Sequence, residues 1–289
     1  KLYQEARLTE TLAYLQAHSR FYQQMFKEHS IDTTRIKKIE DLQQIPVTTK
    51  TDLQLHNSEF MCVDPDHIID YVNTSGTLGD PVTFVLTSKD LDRLAYNEYL
   101  SFNTAGCSRH DILQLMTTID RRFMAGLAYY LGARELGMGV ARVGNGIPEL
   151  QWDTIHRIHP TCGMVVPSFL IKLIEFAEKN QIDHNTCSMK KCVCIGEALR
   201  NPDFTLNTLG QRISEKWPSL QLYSTYASTE MQSSFTECSE FHGGHLQPEL
   251  ISVEFLDDKN LPVKAGEPGE VTITTLGVEG MPLLRFKTG

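Results

Sequence analysis

Apolar side chains recur at three- and four-residue steps through the first thirty residues, at Leu8, Leu12, Leu15, Tyr22 and Phe26. That spacing puts them on one stripe of helical structure that packs against the body of the chain. The run Ile68-Ile69-Asp70-Tyr71-Val72 is strand-like, and Val82, Phe84 and Leu86 alternate with Thr83, Val85 and Thr87 in the period of a half-buried strand. Ser88 with Asp90 two residues on predicts a helix start, an N-cap with an acid in the first turn, and Leu91, Leu94, Ala95 and Phe102 continue its inward face. Pro167-Ser168 opens another helix, apolar at Phe169, Leu170, Leu173, Ile174 and Ala177 and ending near Lys179-Asn180. Short apolar runs without strict alternation, at 112–116, 192–195 and 220–223, suit strands covered on both faces. After about Gly244 the texture changes to alternating strands over 250–256 and 270–276, joined by turn-rich segments at 257–260 and 265–269, which is antiparallel hairpin texture. The pattern therefore predicts an α/β body over 1–243 and a small antiparallel β-rich subdomain over 244–289, without repeats or low-complexity tracts.

Composition narrows the function classes. At 289 residues, with 41% hydrophobic and 22% charged positions, the chain has the make-up of a globular protein with a sizeable core. It has no apolar run of the roughly 18 residues that span a membrane and no apolar signal core at its start, so a cytoplasmic location is expected. A net charge of -9 argues against nucleic acid or an anionic membrane as a partner, since both call for clustered Lys and Arg. Seven scattered cysteines without paired spacing read as reduced thiols, with Cys192 and Cys194 as small buried hydrophobes on one strand face.

Between the two strands near the first quarter stands Asn73-Thr74-Ser75-Gly76-Thr77-Leu78-Gly79-Asp80-Pro81, rich in hydroxyls and glycine. Thr74, Ser75 and Thr77 can donate to phosphate oxygens, while Gly76 and Gly79 let backbone N–H groups approach closely. No lysine follows Gly79 and the segment joins strand to strand, so it is not a Walker A loop, which opens a helix. An ordinary turn is the plainer alternative.

Two further segments, Tyr226-Ala227-Ser228-Thr229-Glu230 and Gly280-Met281-Pro282-Leu283-Leu284-Arg285-Phe286-Lys287-Thr288-Gly289, follow the loop in the order found in the adenylate-forming acyl-CoA ligases. The chain resembles that superfamily from about Tyr3 to Gly289, and within it the phenylacetate-CoA ligase branch. The resemblance implies an acetyl-CoA synthetase-like N-terminal domain, with layered mixed sheets flanked by helices. It also implies ATP, Mg²⁺ and CoA as cofactors and a small carboxylic acid, aryl or arylacetic, as substrate. By resemblance Thr74, Ser75, Gly76, Thr77 and Gly79 cradle the β- and γ-phosphates, and Glu230 binds the Mg²⁺. Thr229 would then donate to the α-phosphate, Tyr226 would lie against adenine with Ala227 and Ser228 beside it, and Thr77, Thr229 and Glu230 would act on the reacting phosphates. Gly196-Glu197-Ala198 resembles the family's adenine-contact turn, with Gly196 also lining the acyl pocket. Phe123, Met124, Ala125 and Gly126 match the segment that receives the acid's aromatic end, the alternative being a buried helix start. Leu78, Asp80 and Ala227 depart from the family pattern; Asp80 stands where a lysine is usual.

The resemblance implies a small mobile domain after the hinge, so the chain reads as the large domain alone, binding better than it turns over. A protein that keeps the fold without the reaction, sensing nucleotide or aryl acid, is the rival of another class. Transfer to a carrier protein, or of AMP to a deazaflavin cofactor, are rivals within adenylation, and homodimer formation is left open. Cys238 with His242 and His245 places a thiol and two imidazoles within eight residues, which can hold Zn²⁺, with Cys238 and His245 as its candidate ligands. A plain loop is the alternative.

Overall fold

The computed structural model describes residues 1–74 and 81–289. The amino-terminal apolar stripe is carried by two helices, α1 (Leu2–His18) and α2 (Arg20–Glu28), because Ser19 is extended and its hydroxyl caps α2 by accepting from Tyr22 N–H. Leu8, Leu12, Leu15, Tyr22 and Phe26 are all buried, as the periodicity predicts. A short helix α3 (Lys50–Leu55) follows, opened by a capping box between Thr49 and Asp52. Strands β1 (Asp70–Asn73) and β2 (Thr83–Leu86) pair antiparallel, with Asn73 opposite Thr83. Helix α4 (Ser88–Thr104) begins where expected, but its cap is Thr87 and not Ser88. Thr87 and Asp90 exchange N–H···O bonds at 3.0 and 3.2 Å, which satisfies two otherwise orphaned donors.

The chain then alternates strand and helix: β3 (Ile112–Leu115), α5 (Met124–Leu136), β4 (Gly139–Arg142), α6 (Pro148–Ile158), β5 (Cys162–Val165), α7 (Pro167–Lys179), β6 (Lys191–Cys194), α8 (Thr208–Lys216) and β7 (Gln221–Ser228). It closes with β8 (Ser233–Glu237), β9 (Gly244–His245), β10 (Ile251–Leu256), β11 (Glu270–Thr275) and β12 (Phe286–Lys287). These elements fall in two compact units: Lys1–Arg93 with Ser228–Ser233 and Gln247–Gly289, and Leu94–Ala227 with Ser234–Leu246.

The second unit is built on a sheet of order β4-β3-β5-β6-β7-β8-β9, parallel from β4 to β7. Its strands are apolar on both faces because both are covered. Cys192 and Cys194 point to a cluster with Trp152, Leu170, Leu173, Ile213 and Trp217, whereas Val193 and Ile195 point to one with Phe102, Leu113, Tyr129 and Met164. The two cysteines are therefore the buried apolar groups that the two-residue period predicts. All seven cysteines are free thiols.

In the first unit β10, β11 and β12 form an antiparallel sheet, with Ile251 opposite Thr275, so the two alternating runs after Gly244 do pair as a hairpin. Buried Asp90 accepts from the backbone N–H of Glu279 and Gly280, both at 2.8 Å, tying the first turn of α4 to the segment after β11. Among the described residues no helix is long and apolar enough to cross a membrane.

Candidate functional site

Parallel strands present their carboxyl ends on one edge, where open α/β sheets gather ligand-binding loops. In the second unit the loops that follow β3, β4, β5 and β6, with the far end of β7, share this edge. Three of the segments singled out in the sequence lie on it. Gly196 follows β6 with φ +78°, a left-handed turn that glycine adopts without strain. Glu197 reaches across to α7, where its Oε2 accepts from Ser168 N–H at 2.7 Å and caps a helix whose first residue, Pro167, has no N–H to offer. The carbonyl of Ala198 accepts from Asn207 Nδ2 at 2.7 Å. Tyr226, at the exposed end of β7, is 46% exposed, its ring stacked at 6.2 Å from Phe235. Arg200 in the β6 loop pairs with buried Glu237 at 2.6 Å, and the other carboxylate oxygen accepts from Ser224 N–H, which fixes that loop against β7.

Phe123-Met124-Ala125-Gly126 opens α5, with Phe123 in the N-cap position and 36% exposed. A Cβ on Gly126 would stand 1.8 Å from the carbonyl oxygen of Thr118, so the glycine is where helix and preceding loop touch backbone to backbone. Buried Gln151 holds the Val143-Gly144-Asn145-Gly146 turn by donating to the carbonyls of Gly144 and Gly146 at 2.8 and 3.1 Å.

The first unit carries the rest of the Tyr226-to-Glu230 segment. Beyond β7 the chain turns over 229–232, where Met231 N–H donates to Ser228 Oγ at 3.2 Å and Gln232 takes φ +46°. Met231 and Gln232 are fully buried. Arg93 locks the turn: its guanidinium, itself buried, donates to the carbonyls of Gln232, Leu250 and Leu276. Burial pushes this guanidinium down to about 10, the opposing pull of Asp90 being smaller. Glu230 is thereby held with its side chain only 11% exposed, and its Oε1 is paired with Lys50 Nζ from the start of α3. Thr229 sits half-buried beside it.

Thr74 is buried at the base of the β1–β2 hairpin, its Oγ1 accepting from Val82 N–H at 3.0 Å. The expectations for Ser75, Gly76, Thr77 and Gly79 lie outside the described residues.

Lys50 and Arg93 were not singled out in the sequence. The Thr49-x-x-Asp52 capping box that sets Lys50 at a helix start is a readable signal, but its partner lies 180 residues away. The Glu230 carboxylate offers the hard oxygen donors that Mg²⁺ takes together with a substrate's phosphates, and Lys50 now holds one of them.

The zinc expectation finds no support among the described residues. Among the described residues the group of three or more His, Cys, Asp or Glu with ligand atoms mutually within 4.8 Å is Asp64, Asp66 and His67, all exposed. Cys238 and His245 are in no such group; the β8–β9 register sets His245 opposite Thr236, and Cys238 lies beyond the end of β8. His242 instead places Nδ1 on the carbonyl of Glu240 and its ring against Phe204.

The family described as "AMP-binding enzyme" matches residues 4–280. The phenylacetate-coenzyme A ligase of Thermus thermophilus is 30% identical over 99% of this chain and 64% of its own length, and that of Escherichia coli is 27% identical over 99% and 65%. The chain thus spans just under two thirds of the length of these curated relatives. A crystal structure of 2-hydroxyisobutyryl-CoA ligase with its acyl-adenylate and CoA superimposes with a TM-score of 0.88 at 23% identity, covering 99% of this chain and 62% of that one. At that identity the likeness speaks for the fold alone, which is the α/β arrangement expected from the sequence. The family match extends over nearly the whole chain, and on that ground the chain belongs to the AMP-binding, adenylate-forming enzymes, among which it is similar to the phenylacetate-CoA ligases.

Proposed function

We propose that this protein activates a carboxylic acid of the aryl or arylacetic class with ATP and that the acyl group then passes to CoA. In the first step a carboxylate oxygen bonds to the α-phosphorus of ATP and the bond to pyrophosphate breaks, leaving an acyl-adenylate. In the second, the CoA sulfur, losing its proton, bonds to the acyl carbon and AMP departs. The observation that carries the reading is Glu230: a nearly buried carboxylate, clamped by the Arg93-held turn and matched to an ammonium, is a place prepared for ionic chemistry. Leaving such a carboxylate unpaired would cost several kcal/mol.

In this reading Glu230 is the protein's ligand to Mg²⁺, and Thr229 donates to the α-phosphate. Tyr226 offers its exposed ring to adenine, and the turn at Gly196 supplies a second contact to it. Bound Mg²⁺ neutralises charge between the phosphates. Catalysis is then mostly positioning and charge stabilisation, which suits phosphoryl and acyl transfer without a nucleophilic side chain. Support comes from the family match and from the clustering of the singled-out loops on the carboxyl edge of the parallel sheet.

Calorimetry of the chain with Mg·ATP, followed by pyrophosphate exchange across a panel of aromatic and arylacetic acids, tests this reading. The expected result is Mg·ATP binding that Glu230→Gln weakens at least about tenfold, about 1.4 kcal/mol, and exchange that depends on an aryl acid. Absence of nucleotide binding in the wild type would end it. Exchange without thioester formation, when CoA is supplied, would point to a different acceptor.

A further inference from the structure

The pairing of Lys50 with Glu230 asks for an explanation that a surface salt bridge does not supply. Exposed pairs contribute little, yet here the acid side chain is 11% exposed and the lysine 31%. Lys50 is delivered by a rigid element: the Thr49–Asp52 box, with Asp52 Oδ2 accepting from Thr49 N–H at 2.8 Å, fixes the first residue of α3. Its four-carbon stem can still swing, and its ammonium offers three donors.

We propose that Lys50 is a displaceable counter-ion. It neutralises Glu230 while the site holds no nucleotide, gives up that carboxylate when the metal of Mg·ATP claims it, and turns to a β- or γ-phosphate oxygen of the same ligand. The inference rests on the nucleotide reading above and adds to it a specific residue and an exchange of partners. Its chemical logic is that two cations compete for one carboxylate. The ammonium that loses this competition then stands beside the most negative part of the ligand, where a cation is most stabilised.

Two measurements test it. Binding of Mn²⁺, used as a spectroscopic probe of the metal position in nucleotide-free protein, should tighten at least about threefold in Lys50→Met, because the competing charge is gone. In Glu230→Gln it should be lost. Calorimetry should show Mg·ATP weakened about tenfold in Lys50→Met, with AMP changed by less than about twofold, while Lys50→Arg stays within about threefold of wild type for both. Equal losses for ATP and AMP in Lys50→Met would mean a structural role and overturn the proposal, as would Mn²⁺ and ATP affinities that do not move. Wild-type protein that fails to bind Mg·ATP would overturn the proposed function and this inference with it, whereas wild-type binding with an unresponsive Lys50→Met overturns this inference alone.

Discussion

Replacing Glu98 by glutamine should stabilise the protein, and should do so in a pH-dependent way. Glu98 lies on α4 in the second unit, fully buried, with Asn97 Nδ2 donating to Oε1 at 2.9 Å and Ser234 Oγ to Oε2 at 3.2 Å. Helix α5 presses against it so closely that a Cβ on Gly132 would meet Glu98 Cβ at 2.3 Å. Burial pushes the carboxyl up to about 7 from an ordinary value of 4.5, and the hydrogen bonds from Ser101, Ser234 and Asn97 only partly oppose it. The folded protein therefore keeps a proton that the unfolded chain releases. Its stability is full below about pH 4.5 and falls as pH rises towards 7, since in that window unfolding sheds a proton. At about 1.4 kcal/mol per pH unit, the interval from 4.5 to about 7 corresponds to about 3 kcal/mol lost by pH 8. Tyr129, the ionisable neighbour, takes no part in this window because burial holds its phenol well above its ordinary range. Glutamine keeps the shape and hydrogen-bonding capacity but never ionises. Urea unfolding of wild type and Glu98→Gln at about pH 5, 6, 7 and 8 should give stabilities that differ by less than about 1 kcal/mol at the acid end and by roughly 3 kcal/mol, in favour of the variant, at the alkaline end. A constant difference across that range, or a wild type that is the more stable at pH 8, would refute the reasoning.

Gly126→Ala should lower the urea midpoint, by about 1–3 kcal/mol of overpacking, because the new methyl meets the Thr118 carbonyl 1.8 Å away and backbone must move; an unchanged midpoint would show that the α5 start is looser than described. In native protein a thiol reagent should titrate at most Cys187 and Cys238, the two cysteines that are not buried, and after denaturation without reductant it should find all seven. Burial that pushes the Cys62 thiol up to about 12 reinforces this protection. A third fast thiol in the native state, or fewer than seven after unfolding, would contradict it.

Much of the fold was legible because its signals are local. Cys192-Val193-Cys194-Ile195 is too short and too uniformly apolar for a one-sided strand, and the structure accounts for every one of its side chains by covering both faces. The alternation at 250–256 and 270–276 reports a sheet whose register follows from the same two-residue period. Errors arose where two local readings compete within a residue or so. Ser88 and Thr87 are both acceptable caps, and only the reciprocal bond to Asp90 chooses Thr87. Likewise the leading stripe has helical spacing throughout, and it took the extended Ser19 to divide it.

The candidate site divides along the same line. Its glycines and hydroxyls could be marked in advance, since a turn with φ +78° at Gly196 is a property of a few consecutive residues. What gives Glu230 its chemical character is not local at all. Lys50 pairs with it across 180 positions, and Arg93 reaches Gln232 across 139 and Leu250 across 157. Each of these cations reads, in sequence, as one more charged residue near a helix start. Their roles follow from burial, which makes an unmatched charge or an unpaired carbonyl expensive and so compels distant partners to meet. Zinc found no support for the converse reason: Cys238, His242 and His245 are close in sequence, but the β8–β9 register, not proximity along the chain, decides where His245 falls. Ligand sets assembled over short spacings are thus the readings most exposed to a strand pairing that sequence spacing does not reveal, and pairs enforced by burial are the ones most worth seeking once a fold is known.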